Sequence, residues 1–215
     1  MDTRTRILQA AFEVITRNSY AGAGIAEIIS TSGMTRGAVY HHFASKQEIG
    51  QAVVREVILE RYRRYWEKAL ASAPDAEPML EALIAGLKNT KLLNCNNGCS
   101  LANVYQSVNR ESEPQLAETI RQAQREFEGI FIEAVERGLE GGELDASRVD
   151  AQTLGPFIAA AFQGAMNAAG VQGGSAKYLK LIGELESYLR GLSEAAVGRR
   201  ASARRGKKII RAASR

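Results

Sequence analysis

Four side chains in this sequence invite a chemical reading at once: His41 and His42, the only histidines, and Cys95 and Cys99, the only cysteines. Neighbouring residues on a helix point about 100° apart, so the two imidazoles are badly placed to share one metal ion. Helical zinc pairs use i, i+4 spacing instead, and no Asp or Glu stands close beside them. No metal or other cofactor is therefore expected. Cys99 follows Gly98 in what reads as the first turn of a helix, a position that favours a thiolate, and Cys95 lies four residues earlier as a candidate resolving thiol. Two readings of Cys99 stay open: a thiol that senses oxidants or electrophiles, and a small buried residue closing a helix start. An enzyme using Cys99 as nucleophile would need a general base beside it, and the histidines lie far along the chain in a segment with a use of its own.

That segment is SGMTRGAVYHHFASKQE, Ser32 to Glu48. Placed on a helix, Val39 and Phe43 fall on one side and point inward, while Gly37, Ala38 and His41 point the other way, flanked by Tyr40 and His42. The outward face is small at its centre and polar-aromatic at its edges, which suits a helix whose backbone must approach a partner closely. Ala38 offers apolar contact to a thymine methyl; Tyr40, His41 and His42 offer hydrogen bonds to phosphates or base edges. The preceding helix, the bend at Gly33 and the N-cap at Thr35 make a helix-turn-helix. Lys46 stands at the start of the following helix, where backbone N–H groups already favour a phosphate.

The elements that must position this face are all helical. Apolar residues Ile7, Leu8, Ala11, Phe12 and Ile15 recur at helical spacing over about 3–16. A second helix spans about 25–31 with Gly24 as N-cap, and the third carries RGAVYHHF. Ser45 and Glu48 form a capping box for a long helix over about 46–71. Further helices are expected over about 79–93, 99–109, from Pro114 to the EGGEL break, 151–169 and 176–196. The sum is an all-α, nine-helix chain in two domains: a helix-turn-helix unit over 1–45 and a larger helical domain over 46–196. Residues 197–215 carry basic side chains without acidic partners or an apolar face and are expected to be a disordered tail.

The stretch AEIISTSGMTRGAVYHHFASKQEI, preceded by an amphipathic helix and Y-x-x-x-G, resembles the N-terminal domain of the tetracycline-repressor-like (TetR) family of bacterial transcription regulators. The order Gly33, Thr35, Gly37, Val39-Tyr40, His42-Phe43, Lys46 carries the likeness, and length and helix plan extend it to about residue 196. Ala23-Gly24 and Ile29 depart from the family's usual Ser/Thr and Ala. The resemblance maps Thr35, Arg36, Ala38, Tyr40, His41, His42 and Lys46 to DNA-facing positions, with Arg36 as a base contact and Tyr40, His42 and Lys46 on phosphates. It implies a homodimer joined through the last two helices, consistent with the small residues of LGPFIAAAFQGAMNAAG and the apolar stripe of YLKLIGELESYLRGL.

It also implies a small-molecule effector site in the larger domain. Candidate lining residues are Tyr62, Trp66, Leu83, Leu87, Cys99, Asn103, Tyr105, Phe127, Phe131, Phe157, Phe162, Met166 and Asn167. Asn103 and Asn167 stand out, because an amide on an apolar helix needs a partner that a ligand or its water can supply. The segment Gly98-Cys99-x-Leu101-x-Asn103 resembles one found in family members that sense electrophiles or oxidants through cysteine. The function expected is an effector-released repressor on a palindromic DNA operator; alternatives are a DNA-binding regulator without an effector and a thiol enzyme.

Charge and hydropathy agree. The net charge of +4 comes from the tail: the segment RRASARRGKKIIRAASR holds eight of the 28 Lys and Arg residues, which leaves 20 against 24 Asp and Glu in the body. Attraction to nucleic acid must therefore be local. MDTRTRILQAAFEVI does not read as a signal peptide, and no apolar run is long enough for a membrane span. With two cysteines, a cytoplasmic protein that makes no membrane contact is expected.

Overall fold

A computed structural model describes residues 2–71, 78–90, 97–172 and 174–213, excepting the side chains of 172 and 194–213. The first helix, α1 (Thr3–Gly22), starts at Asp2, whose carboxylate accepts the Thr5 N–H at 2.8 Å. Its apolar stripe, including Ile7, Leu8, Ala11, Val14 and Ile15, is buried. α1 runs past the expected end near residue 16, broken only at Ser19, whose φ of 61° and ψ of 168° are non-helical. That break turns Tyr20 into the interior.

The turn between α2 (Ile25–Ser32) and α3 (Arg36–His42) forms as its residues dictate. Gly33 takes the left-handed conformation at φ 65° that glycine adopts without steric cost. Thr35 then caps α3 by accepting the Ala38 N–H at 3.1 Å. Val39 and Phe43 are buried against the α1 stripe, and the Arg4 guanidinium stacks over the Phe43 ring at 5.1 Å.

The long helix α4 starts at the expected box: Ser45 Oγ accepts the Glu48 N–H at 3.1 Å, while Glu48 reaches back to the Ala44 N–H at 2.7 Å. It is α-helical over Lys46–Ala52, wound as a π-helix over Val53–Leu59, and α-helical again over Glu60–Ala71. A uniform α-helix was expected. The wider turn coincides with a run of β-branched residues, which crowd an α-turn. It lets Val53, Val54, Val57, Ile58 and Leu59 all be buried.

The rest of the chain is α5 (Met79–Lys88), α6 (Ser100–Ser107), α7 (Pro114–Glu140), α8 (Ala151–Gln172) and α9 (Gly174–Ala213). The described residues thus form nine helices and no strand, as expected. The expected end of α5 at Leu93 lies outside the described residues. α9 continues to Ala213, so the backbone of 197–213 is helical where a disordered tail was expected; Ala, Arg and Lys are strong helix formers even without an apolar face. α7 packs along α8, and α8 along α9. Tyr178 of α9 donates to the Leu87 carbonyl of α5 at 2.6 Å.

One buried apolar cluster runs without interruption from α1 through α4 into α7, α8 and α9. The units expected over 1–45 and 46–196 therefore share a core. α7 and α8 approach closely at Gly155, where a Cβ would lie 2.7 Å from the Ile132 amide nitrogen and 2.8 Å from its Cα. Backbone cannot yield as a flexible side chain can, so Gly155→Ala should destabilise the fold by about 1–3 kcal/mol. A lower thermal midpoint with the helical circular-dichroism spectrum retained would show this.

Candidate functional site: a helix-turn-helix face and its junction with the larger domain

The face sketched from sequence is assembled as expected. Arg36, Gly37, Tyr40 and His41 are exposed, Ala38 and His42 are half-buried, and Val39 and Phe43 anchor the helix from behind. The Arg36 guanidinium lies 5.4 Å from the Tyr40 ring centroid, and the two imidazoles meet edge to face at 5.3 Å. Thr35 Oγ1 accepts the Ala38 N–H, which leaves its hydroxyl hydrogen free to donate.

Lys46 differs from the simple picture of a solvent-facing lysine. It is half-buried; its Nζ donates to the Ala21 carbonyl at 3.1 Å and sits 4.7 Å over the Tyr20 ring. Burial lowers its pKa, with Glu113 acting against that shift. Tyr20 is the centre of a junction. Its Oη donates to Glu113 at 2.6 Å and its backbone N–H donates to Ser107 Oγ at 3.1 Å. Burial, then the Glu113 hydrogen bond, raises the phenol pKa far above its ordinary value. Gly50 makes room for the ring, since a Cβ there would lie 2.7 Å from it. The end of α1, the start of α4 and the α6–α7 connection thus meet on one side chain. Sequence reasoning missed this role, because Tyr20 lies beyond the helix expected over about 3–16.

The residues expected around an effector do not share one space. Tyr62 and Met166 line a cleft of about 660 Å³ between α1, α4 and the start of α6. Tyr105 lines a groove of about 450 Å³ beside Arg121, Gln124 and Arg125. Trp66, Phe127, Phe131 and Phe162 line neither. They pack ring on ring with Tyr62, at centroid separations of 4.8–6.5 Å, as interlocking core. Within this cluster the buried Trp66 indole N–H has no acceptor among the described residues. Leu83 and Leu87 are likewise buried in the core and line neither space, and Phe157 is half exposed at the surface. The cleft also draws on Phe12, Thr16 and Arg17 of α1 and on Arg61 of α4, which sequence reasoning assigned to separate domains and so did not combine.

The two amides need no ligand to satisfy them. Asn167 Oδ1 accepts the Cys99 N–H at 2.7 Å, and Asn103 Nδ2 donates to the Asn97 carbonyl at 2.7 Å. Cys99 is the N-cap of α6, one position before the first turn where it was expected. It is fully buried, with Sγ 3.4 Å from Tyr62 Oη. Burial, then the nearby Cys99, raises the Tyr62 pKa well above that of a free phenol. Cys95 lies outside the described residues.

Residues 7–53 match the family model described as "Bacterial regulatory proteins, tetR family". Over that segment the chain is similar to the tetR family. Among curated relatives it is 39% identical over 64 residues to the HTH-type transcriptional regulator UidR of Escherichia coli strain K12, covering 28% of this chain and 33% of UidR. The match thus spans about a third of that relative's length. An uncharacterized HTH-type transcriptional regulator of Mycobacterium bovis, Mb2936c, aligns more widely, at 29% identity over 143 residues, or 66% of this chain and 70% of the relative.

Two solved structures show that the likeness of fold extends well past the first domain. The reduced form of E. coli NemR superposes with a TM-score of 0.74 at 18% identity, covering 89% of this chain and 97% of NemR. A TetR transcriptional regulator from Chloroflexus aurantiacus gives 0.73 at 24% identity, covering 87% and 93%. Among the described residues, no helix is long and apolar enough to cross a membrane.

Tyr20→Phe keeps the ring under Lys46 and removes only the hydrogen bond to Glu113. It should cost about 1 kcal/mol, measured as a parallel shift of the urea unfolding curve.

Proposed function

We propose that this chain is a ligand-responsive transcriptional repressor that binds a palindromic DNA operator as a homodimer. The observation that carries the reading is the α3 surface: a capped helix held by buried Val39 and Phe43, with Arg36, Gly37, Tyr40 and His41 exposed beyond it. Arg36 has the guanidinium fork that reads a guanine edge, and Ala38 is small enough to meet a thymine methyl. Thr35, Tyr40, His41 and His42 supply hydrogen-bonding groups for bases or phosphates. Lys46 retains donor hydrogens beyond the one given to Ala21 and reinforces the phosphate grip at the start of α4.

Palindromic recognition requires two such helices about 34–36 Å apart. Phe157 of α8 and Tyr188 of α9 support a dimer through these helices. Each is half exposed, and their rings meet edge to face at 5.6 Å. Large aromatics on an open helix pair are what a two-fold interface covers.

An effector that favours another arrangement of the larger domain weakens operator binding by the coupling between sites, typically about 1–3 kcal/mol. Two routes lead from that domain to α3: along α4, and through α6 and α7 to Tyr20 by way of Ser107 and Glu113. The effector is read as a small molecule acting in the cytoplasm. A version in which an electrophile attacks Cys99 requires opening of its contact with Tyr62, because the thiol is buried. In a Cys95→Ser background, Cys99 should stay unmodified by N-ethylmaleimide until denaturant is added.

Selection from random duplexes should enrich an inverted repeat, with affinity that falls steeply as salt rises. Arg36→Ala should weaken that operator about tenfold or more while changing scrambled duplex little. Tyr40→Phe should weaken both alike. Equal affinity of the wild-type protein for operator and scrambled competitor at low salt would refute the proposal.

A further inference from the structure

The cleft between α1 and α4 has features of a built ligand site. Its volume of about 660 Å³ lies within the range that small-molecule sites occupy. Ile58, Tyr62 and Met166 give it a buried apolar side, extended by half-buried Phe12 and Tyr65. Its exposed edge carries Arg17, Arg61 and Glu13, two positive charges against one negative.

Arg61 is the distinctive group. Its guanidinium stands 5.2 Å over the Phe12 ring, and it makes no ion pair among the described residues. Arg17 is held only loosely, 3.5 Å from Glu27. The groove near Tyr105 offers a contrast, because Arg121 and Arg125 there are both drawn onto Glu118, at 2.8 and 3.1 Å. The start of α6 adds polarity of the same sign. Gly98 and Ser100 line the cleft; the Cys99 N-cap supplies no side-chain acceptor to the first-turn N–H groups, of which that of Ser100 faces the Tyr62 hydroxyl. Gly98 has a φ of 70°, and a Cβ there would lie 2.8 Å from Asn167 Oδ1, so the backbone stays bare at this point.

We propose that this cleft binds an amphipathic small-molecule anion. Its apolar body lies against Phe12, Tyr62, Tyr65 and Met166, and its carboxylate or sulfonate lies on Arg61 and Arg17. Because the walls come from α1 on one side and α4 on the other, the occupant acts directly on the two helices that seat the α2–α3 unit. The regulatory consequence rests on the repressor reading; the binding site does not.

The probe is 8-anilinonaphthalene-1-sulfonate, an aromatic anion whose fluorescence rises in apolar surroundings, titrated into the full chain. Saturable binding is expected, displaced by decanoate at least tenfold better than by 1-decanol. Arg61→Gln should weaken both anions about tenfold, Arg61→Lys should recover most of the loss, and Thr16→Trp, which fills the cleft, should abolish binding. Each variant is first checked for the wild-type thermal midpoint. Probe affinity unchanged in folded Arg61→Gln and Thr16→Trp would overturn the proposal. So would displacement by decanol as good as by decanoate.

Operator release is followed separately by anisotropy. An effector that releases operator equally from wild type and Thr16→Trp would remove the regulatory role of the cleft and leave the repressor reading standing. Loss of probe binding in the variants, with no operator preference in the wild type, would support the cleft and remove the repressor reading.

Discussion

The geometry of this molecule depends on how one aromatic ring is seated. Tyr20 lies under the Lys46 ammonium, against the bare Cα of Gly50, with its hydroxyl on Glu113 and its amide on Ser107. Those groups come from α4 and from the α6–α7 connection, and the ring is 1% exposed. A buried phenol needs its partner, since an unpaired polar group in the interior costs more than the hydrogen bond contributes. The α2–α3 unit is therefore attached to the larger domain by a satisfied polar contact inside an apolar seat. A displacement of α6 or α7 acts on α1 through hydrogen bonds as well as through packing.

Packing also decides where a small molecule finds room. Five aromatic rings from α4, α7 and α8 interlock at edge-to-face and tilted angles. Such pairs are favourable beyond the area they bury, and interiors packed this way hold few voids. The open volume lies instead at the edge of that cluster, where Tyr62 turns from core toward α1. The π-wound stretch of α4 sits on the same boundary. One residue more per turn there sets the relation between the face of α4 that meets α1 and the face that meets the aromatic cluster.

Much of the local structure was legible because it is governed by contacts within a few residues. Gly33 forms the left-handed turn, Thr35 and Ser45 cap the helices that follow them, and Pro114 opens α7. The inward pair Val39 and Phe43 and the outward Gly37, Tyr40 and His41 follow from helical periodicity alone. Less legible were the π-turn in α4, the continuation of α9 to Ala213, and the lining of the effector region. An aromatic at helical spacing has the same pattern whether it faces a cavity or another ring. Trp66 and Phe131 could not be told from Tyr62 on that ground.

The amino-acid order by itself thus determined the all-α class, the helix-turn-helix and the composition of its outward face, since caps, turn residues and period act at short range. Only the tertiary structure decided that Asn103 and Asn167 are satisfied by protein groups, that Cys99 is sealed beneath Tyr62, and that Phe12 and Arg61 share a wall. Those outcomes turn on which residues far apart in the chain compete for the same few ångströms, and nothing in a local pattern encodes the winner.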